Sequence, residues 1–142
     1  MSLSTDLLDT LSPENKIFVA FSGGLDSTAL LFLCNKALNE KKIRNLKAIH
    51  INHNLSKNSD NWQQHCESFC RSNKIEFESF VIEVSKNRSR IESQARQARY
   101  KIFESLLDEN DQILLAHHRD DVFETLLLRL FRGTGVDGLS GL

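Results

Sequence analysis

Four times along this chain a short apolar run gives way to a stretch of helical periodicity, and that alternation leaves few folds open. Ile17 to Phe21 is bounded by charge on one side and glycine on the other, as a buried strand is. Asp26 to Asn39 follows, with Leu30, Leu31, Leu33, Cys34, Ala37 and Leu38 on a broad apolar face and no proline. Leu46 to Ile51 and Asp60 to Ser72 repeat the unit, the helix turning Trp62, Cys66, Phe69 and Cys70 inward. Glu76 to Ile82 is a third strand, more polar and suited to an edge. The next helix opens on a capping box, Ser89 with Glu92, and carries Ile91, Ala95, Ala98, Ile102 and Leu106 as its inward stripe. Ile113 to Ala116 makes a fourth strand, and a helix is expected from about Asp121 to Phe131. Strand–helix units in tandem require parallel strands joined by right-handed crossovers, so the expected fold class is α/β, a Rossmann-like parallel sheet covered by helices on both faces.

The 142 residues suit one domain with its own core. An amphipathic helix, Leu3 to Leu11, is expected to open it, stopped by Ser12 and Pro13. The glycine-rich stretch from Arg132 to Leu142 reads as a loop, with the parent protein expected to continue beyond it. No apolar run approaches the length of a bilayer span, and the first ten residues lack a basic, apolar leader, so a cytoplasmic location is expected with no membrane partner. Cys34, Cys66 and Cys70 fall on apparent helix faces, where they read as small buried hydrophobes.

Ligands of such folds collect at the carboxyl ends of the strands. The most distinctive segment there is Ser22-Gly23-Gly24-Leu25-Asp26-Ser27, between the first strand and the first helix. Two glycines let the backbone approach an anion, the helix start offers unpaired amides, and Ser22 and Ser27 add hydroxyls. Asp26 beside polyphosphate would repel it unless a cation intervenes, so it either organises magnesium or holds the loop through backbone amides. The P-loop pattern needs lysine where Asp26 stands, and the dinucleotide pattern needs a third glycine. A plain strand-to-helix turn capped by Asp26 or Ser27 is the alternative.

The second strand leads into His50-Ile51-Asn52-His53-Asn54, in which His53 is the candidate to meet phosphate or a reacting oxygen, with loop bracing as the alternative. Between Lys86 and Lys101 six basic residues stand against Glu92 in a chain of net charge -1, which makes an island able to attract phosphate or simply a solvated face. There Glu92 can orient Arg96, leaving Arg99 to reach outward toward phosphate or RNA. His117-His118-Arg119-Asp120-Asp121-Val122-Phe123-Glu124 follows the fourth strand. Three apart on a helix, Asp121 and Glu124 would share a face and receive an ammonium group or a cation, unless they only form a capping box. His117 could contact phosphate or a leaving group. Adjacent histidines converge poorly on one ion, which argues against zinc.

Taken in order, these segments with Glu92-Ser93-Gln94-Ala95-Arg96-Gln97-Ala98-Arg99-Tyr100 and Arg129-Leu130-Phe131-Arg132-Gly133-Thr134-Gly135 give a chain that resembles the amino-terminal catalytic domain of the bacterial tRNA(Ile)-lysidine synthetases, in the ATP-pyrophosphatase (PP-loop) superfamily with its adenine-nucleotide alpha-hydrolase-like fold. Asn54 and Thr134 stand where the family often has glycine and serine. The resemblance implies ATP with magnesium as cofactors, the latter on Asp26 and Asp121. It implies as partners free L-lysine and tRNA(Ile) with a CAU anticodon, and it allows a homodimer. Asp26, His53, His117 and Asp121 become the catalytic candidates, Ser22 to Ser27 the nucleotide loop, and Arg99, Asp121, Glu124 and Arg132 the substrate contacts. It implies ligation of lysine to C2 of the wobble cytidine through an adenylated tRNA. The rivals are a tRNA 2-thiolation enzyme of the same superfamily, whose chemistry usually needs cysteines, and a silent nucleotide- or RNA-binding module.

Overall fold

The computed structural model describes residues 11, 14, 16–54, 57–83, 91–108, 110–119 and 122–129, those at 91, 92, 117–119 and 122–129 by backbone alone. Strands β1 (Lys16–Ala20), β2 (Asn45–Asn52), β3 (Glu76–Val81), β4 (Gln112–Arg119) and β5 (Val122–Arg129) alternate through β4 with helices α1 (Leu25–Asn39), α2 (Ser59–Ser72) and α3 (Ile91–Leu106). They form one sheet in the order β3-β2-β1-β4-β5. The first four strands pair in parallel, with Ala20 beside Ile49 and Val19 beside Leu114. The expected α/β sheet is therefore present, and β3 lies at its edge.

The alternation of side chains along each strand divides the core in two. Ile17, Val19, Leu46, Ala48 and Leu114 pack with Leu30, Leu31 and Cys34 of α1 and Cys66 and Cys70 of α2. Phe18, Ile49 and Ile113 face the other way and pack with Tyr100 and Phe103 of α3. Helices thus cover both faces. Leu11 joins the first cluster, whereas the rest of the expected opening helix lies outside the described residues, as do Ser89 of the capping box and Arg132 to Leu142.

Two expectations are corrected. Within the helix expected from Asp121 to Phe131, Val122–Arg129 is instead β5, which pairs antiparallel with β4 along its whole length, from Gln112 beside Arg129 to Arg119 beside Val122. Val122, Phe123, Thr125 and the leucines between 126 and 128 suit a strand as well as a helix, and a short apolar run does not distinguish the two by periodicity. The second correction concerns α3, whose buried Ala95 and Phe103 flank Arg99 at four residues on either side. Arg99 therefore lies within the inward stripe, and Ile102 at its margin.

Candidate functional site

Strand β1 sits at the point where the order of strands reverses, with β2 on one side and β4 on the other. In open α/β sheets this is where a crevice forms beyond the carboxyl ends of the strands. A cavity of about 310 Å³ opens there, floored by Ala20, Ile49, Ile51, Leu115 and Ala116 and walled by Ser22, Ser27, His50, His53, Trp62, Arg99 and Phe103. That volume falls within the range of small-ligand pockets, roughly 300–1,000 Å³.

The loop from β1 into α1 is held by its own hydroxyls. Ser22 N–H donates to Ser27 Oγ at 3.1 Å, the two serine hydroxyls share a hydrogen bond of 2.9 Å, and Gly24 N–H donates to Ser22 Oγ at 3.2 Å. Gly24 is the N-cap, accepting from the Thr28 N–H at 3.0 Å and the Thr28 hydroxyl at 2.7 Å, and no side chain caps the helix. The turn capped by Asp26 or Ser27 is thereby ruled out. The first-turn amides of Leu25, Asp26 and Ser27 remain without intrahelical partners, which is the arrangement that attracts anions. Leu25 is 86% exposed, so its part in the loop is played by its backbone.

Of the two glycines, Gly23 is the constrained one. Its φ is +85°, and an added Cβ would stand 2.8 Å from Cys66 Sγ and 2.9 Å from the Trp62 ring. Gly24 has φ -73°, which any residue adopts, and a Cβ there would meet only Ser22 Oγ at 3.4 Å.

On β2 the even positions face α1 and α2. His50 is buried and its Nδ1 donates to the Phe21 carbonyl at 2.9 Å, fixing the tautomer and bracing the end of β1. Asn52 is fully engaged: its amide nitrogen donates to Asp60 Oδ1 and Gln63 Oε1, and its side-chain oxygen accepts the Asn54 N–H at 2.8 Å. Asn54 has φ +54°, a left-handed conformation that asparagine tolerates.

The next residue turns to the opposite face, into different surroundings. His53 lines the cavity, its Nδ1 is buried with no hydrogen-bond partner among the described residues, and its pKa is lowered by burial, then by the nearby charge of Arg99 and by His50. Arg99 lines the same cavity from α3, with a buried, unpartnered Nε. Burial lowers its pKa, Tyr100 opposes that shift, and Arg96 reinforces it. Arg96 sits over the Tyr100 ring at 5.4 Å and also leaves its Nε unpartnered. Arg99 therefore does not reach outward, as expected from sequence, but into the cavity. Among the described residues it is the only one lining that cavity that carries a permanent charge.

The structure brings together Ser22, Ser27, His53 and Arg99. Asp26 is half-buried in the first turn of α1 and is not among the cavity-lining residues. His117 and Glu124 are opposite each other in the β4–β5 ladder, one position beyond Ala116, at the same end of the sheet as the cavity. Because Glu124 is on a strand, it does not share a helix face with Asp121. Asp121 and Arg132 lie outside the described residues, and no group of three potential metal ligands occurs among the described ones. The cysteines are free and buried, as expected, and burial pushes their pKa values up to about 12, 11 and 12 for Cys34, Cys66 and Cys70.

Sequence reasoning missed Trp62. Assigned there to the core, it is 46% exposed and its indole N–H donates to the Ser22 carbonyl at 2.6 Å. The available signal was that an indole needs an acceptor and stands one helical turn before Cys66.

Residues 2–142 match the PP-loop domain family. The chain is 47% identical over 140 residues to a tRNA(Ile)-lysidine synthase from Legionella pneumophila strain Lens, covering 99% of this chain and 32% of that protein. It is 43% identical over 143 residues to a tRNA(Ile)-lysidine synthase from Pseudomonas syringae pv. tomato, again covering 99% of this chain and 32% of the relative. It thus spans about a third of the length of these curated relatives. Among solved structures it resembles a U34-tRNA thiolase from Methanococcus maripaludis, with a TM-score of 0.58 at 25% identity over 80% of this chain and 42% of that one.

Proposed function

Since this chain belongs to the PP-loop domain family, we propose that it is the ATP-handling part of an enzyme that ligates free lysine to C2 of the wobble cytidine of tRNA(Ile), through an adenylated tRNA with release of pyrophosphate and AMP. The carrying observation is the cavity at the switch point, where a glycine loop opens a helix beside Arg99 and His53, whose buried nitrogens have no hydrogen-bond partner among the described residues. Desolvated donors of this kind are costly unless something accepts from them, and a polyphosphate supplies acceptors.

The residues present fit such a group. The amides of Leu25, Asp26 and Ser27 and the Arg99 guanidinium would hold phosphate oxygens, and the apolar floor of Ile49, Ile51 and Leu115 would take the base. Asp26, an oxygen donor at the helix start, would hold the magnesium that accompanies ATP. When bound, ATP makes the cytidine C2 oxygen a leaving group. What this chain contributes is placement and charge: Arg99 offsets negative charge that builds on phosphate, and His53, held neutral, donates or accepts one proton beside it. His117 and Glu124 stand at the same end of the sheet. With Asp121, Glu124 supplies the negative charge that receives lysine, and Arg132 the contact to tRNA. The buried thiols do not line the cavity, and their raised pKa values suit packing better than sulfur transfer, which favours ligation over thiolation.

The test uses the full-length protein with labelled lysine, magnesium-ATP and a panel of tRNAs, scoring pyrophosphate release and lysine incorporation separately. Incorporation confined to tRNA(Ile) with the CAU anticodon is expected. Sulfur incorporation instead, or ATP binding with no pyrophosphate release, would replace this reading with thiolation or with a silent module.

A further inference from the structure

Trp62 is the single tryptophan of the chain, and the hydrophobic core does not account for its position. It projects from the first turns of α2, 46% exposed, with His65 stacked on it at 4.9 Å and an interplanar angle of 19°. Its edge presses on Gly23, and its Nε1–H donates to the Ser22 carbonyl oxygen at 2.6 Å. A trans peptide points its C=O and its following N–H in opposite directions. Holding the Ser22 oxygen toward Trp62 therefore turns the Gly23 N–H away from it. Among the described residues nothing accepts from that N–H, while the Ser22 N–H, the Ser22 and Ser27 hydroxyls and the Gly24 N–H are taken up within the loop.

We propose that Trp62 is a positioning residue for the phosphate site: by clamping the Ser22–Gly23 peptide it sets the direction of the Gly23 N–H as a donor to a nucleotide phosphate. The inference rests on the cavity being a nucleotide site. Stacking on His65 restricts the indole, the Cys66 side chain closes the remaining space behind Gly23, and α2 is fixed to the end of β2 through the bonds from Asn52 to Asp60 and Gln63. Trp62→Phe keeps an aromatic ring at this position and deletes the donor together with part of the indole's area, so the peptide gains freedom to rotate, and the adenosine comparison separates that from lost packing.

Equilibrium dialysis of full-length wild type and Trp62→Phe against ATP, and separately against adenosine, separates positioning from packing because adenosine carries no phosphate. ATP affinity should fall about tenfold, the scale of one hydrogen bond on a charged group, with adenosine affinity changed less than about twofold. His65→Ala, at an exposed position, should lower ATP affinity about two- to threefold by loosening the ring, and it carries the same comparison if Trp62→Phe fails to fold. ATP affinity unchanged in both variants, or ATP and adenosine affinities lowered alike, overturns the proposal. A wild type that binds no ATP overturns the functional reading itself, and that failure is visible before any variant is compared.

Discussion

The two sides of the sheet meet at one cavity and treat their polar groups in opposite ways. Toward α1 and α2, Ser22, Ser27, His50, Asn52 and Trp62 are tied to one another, to Asp60 and Gln63, or to the backbone. Toward α3, one residue further along the same strand end, His53 has a buried nitrogen without a partner among the described residues, and so do Arg96 and Arg99. Buried polar groups are nearly always satisfied in folded proteins, so the two exceptions that line the cavity, His53 and Arg99, mark where a ligand completes the structure. The bonded side fixes shape, and the unbonded side holds binding capacity. Substitutions on the first should therefore act through loop geometry and stability, and those on the second should lower affinity without lowering stability.

The largest expected effect is at Gly23. Gly23→Ala places a Cβ into Cys66 and Trp62 at a positive φ, so the loop must shift, and ATP affinity in equilibrium binding should fall about a hundredfold. Gly24→Ala should cost less than about threefold, as its backbone and surroundings accept a side chain. Equal losses at the two glycines would erase the distinction between a shaped and an unshaped position in the loop.

Next is Asn52→Ala, which removes three hydrogen bonds from a buried amide and should lower unfolding stability by about 2–3 kcal/mol in urea titrations. A smaller, pH-dependent effect belongs to His53. Its pKa lies below the ordinary 6.5 in the folded chain, so the unfolded chain binds a proton first and His53 subtracts stability as pH falls below about 6.5. Phosphate beside the ring would draw the pKa back up. ATP binding should then take up more protons in wild type than in His53→Gln as pH falls below about 6.5, measured from calorimetric heats in buffers of different ionisation enthalpy. Identical proton uptake would put His53 outside the phosphate field. Smallest of all is Lys101→Ala, at an exposed position of α3, for which ATP and tRNA affinities should change by less than about twofold.

The alternation of apolar runs and amphipathic stretches made the parallel part of the sheet legible, because strand and helix periods differ and each unit buries one face. It misassigned Val122 to Arg129, where the run reads either way and only pairing with β4 decides. In the site, the loop from Ser22 to Ser27 was legible from its glycines and hydroxyls, but which glycine is constrained depends on Trp62 and Cys66 forty residues away. Arg99 was recognised as a candidate yet assigned to the wrong side of its helix. Its place four residues from both Ala95 and Phe103 was present in the sequence, but an arginine between apolar neighbours is ordinarily read as surface.

Arg99→Ala tests the central claim most directly, because Arg99 belongs wholly to the unbonded side. Full-length wild type and variant are compared in ATP binding by calorimetry and in thermal unfolding without nucleotide. The account predicts an ATP affinity lowered about ten- to a hundredfold with a melting temperature unchanged or raised, since the arginine has an unpartnered buried nitrogen in the absence of ligand. An unchanged ATP affinity, or a fall in melting temperature together with that of affinity, would contradict it and make Arg99 a structural residue.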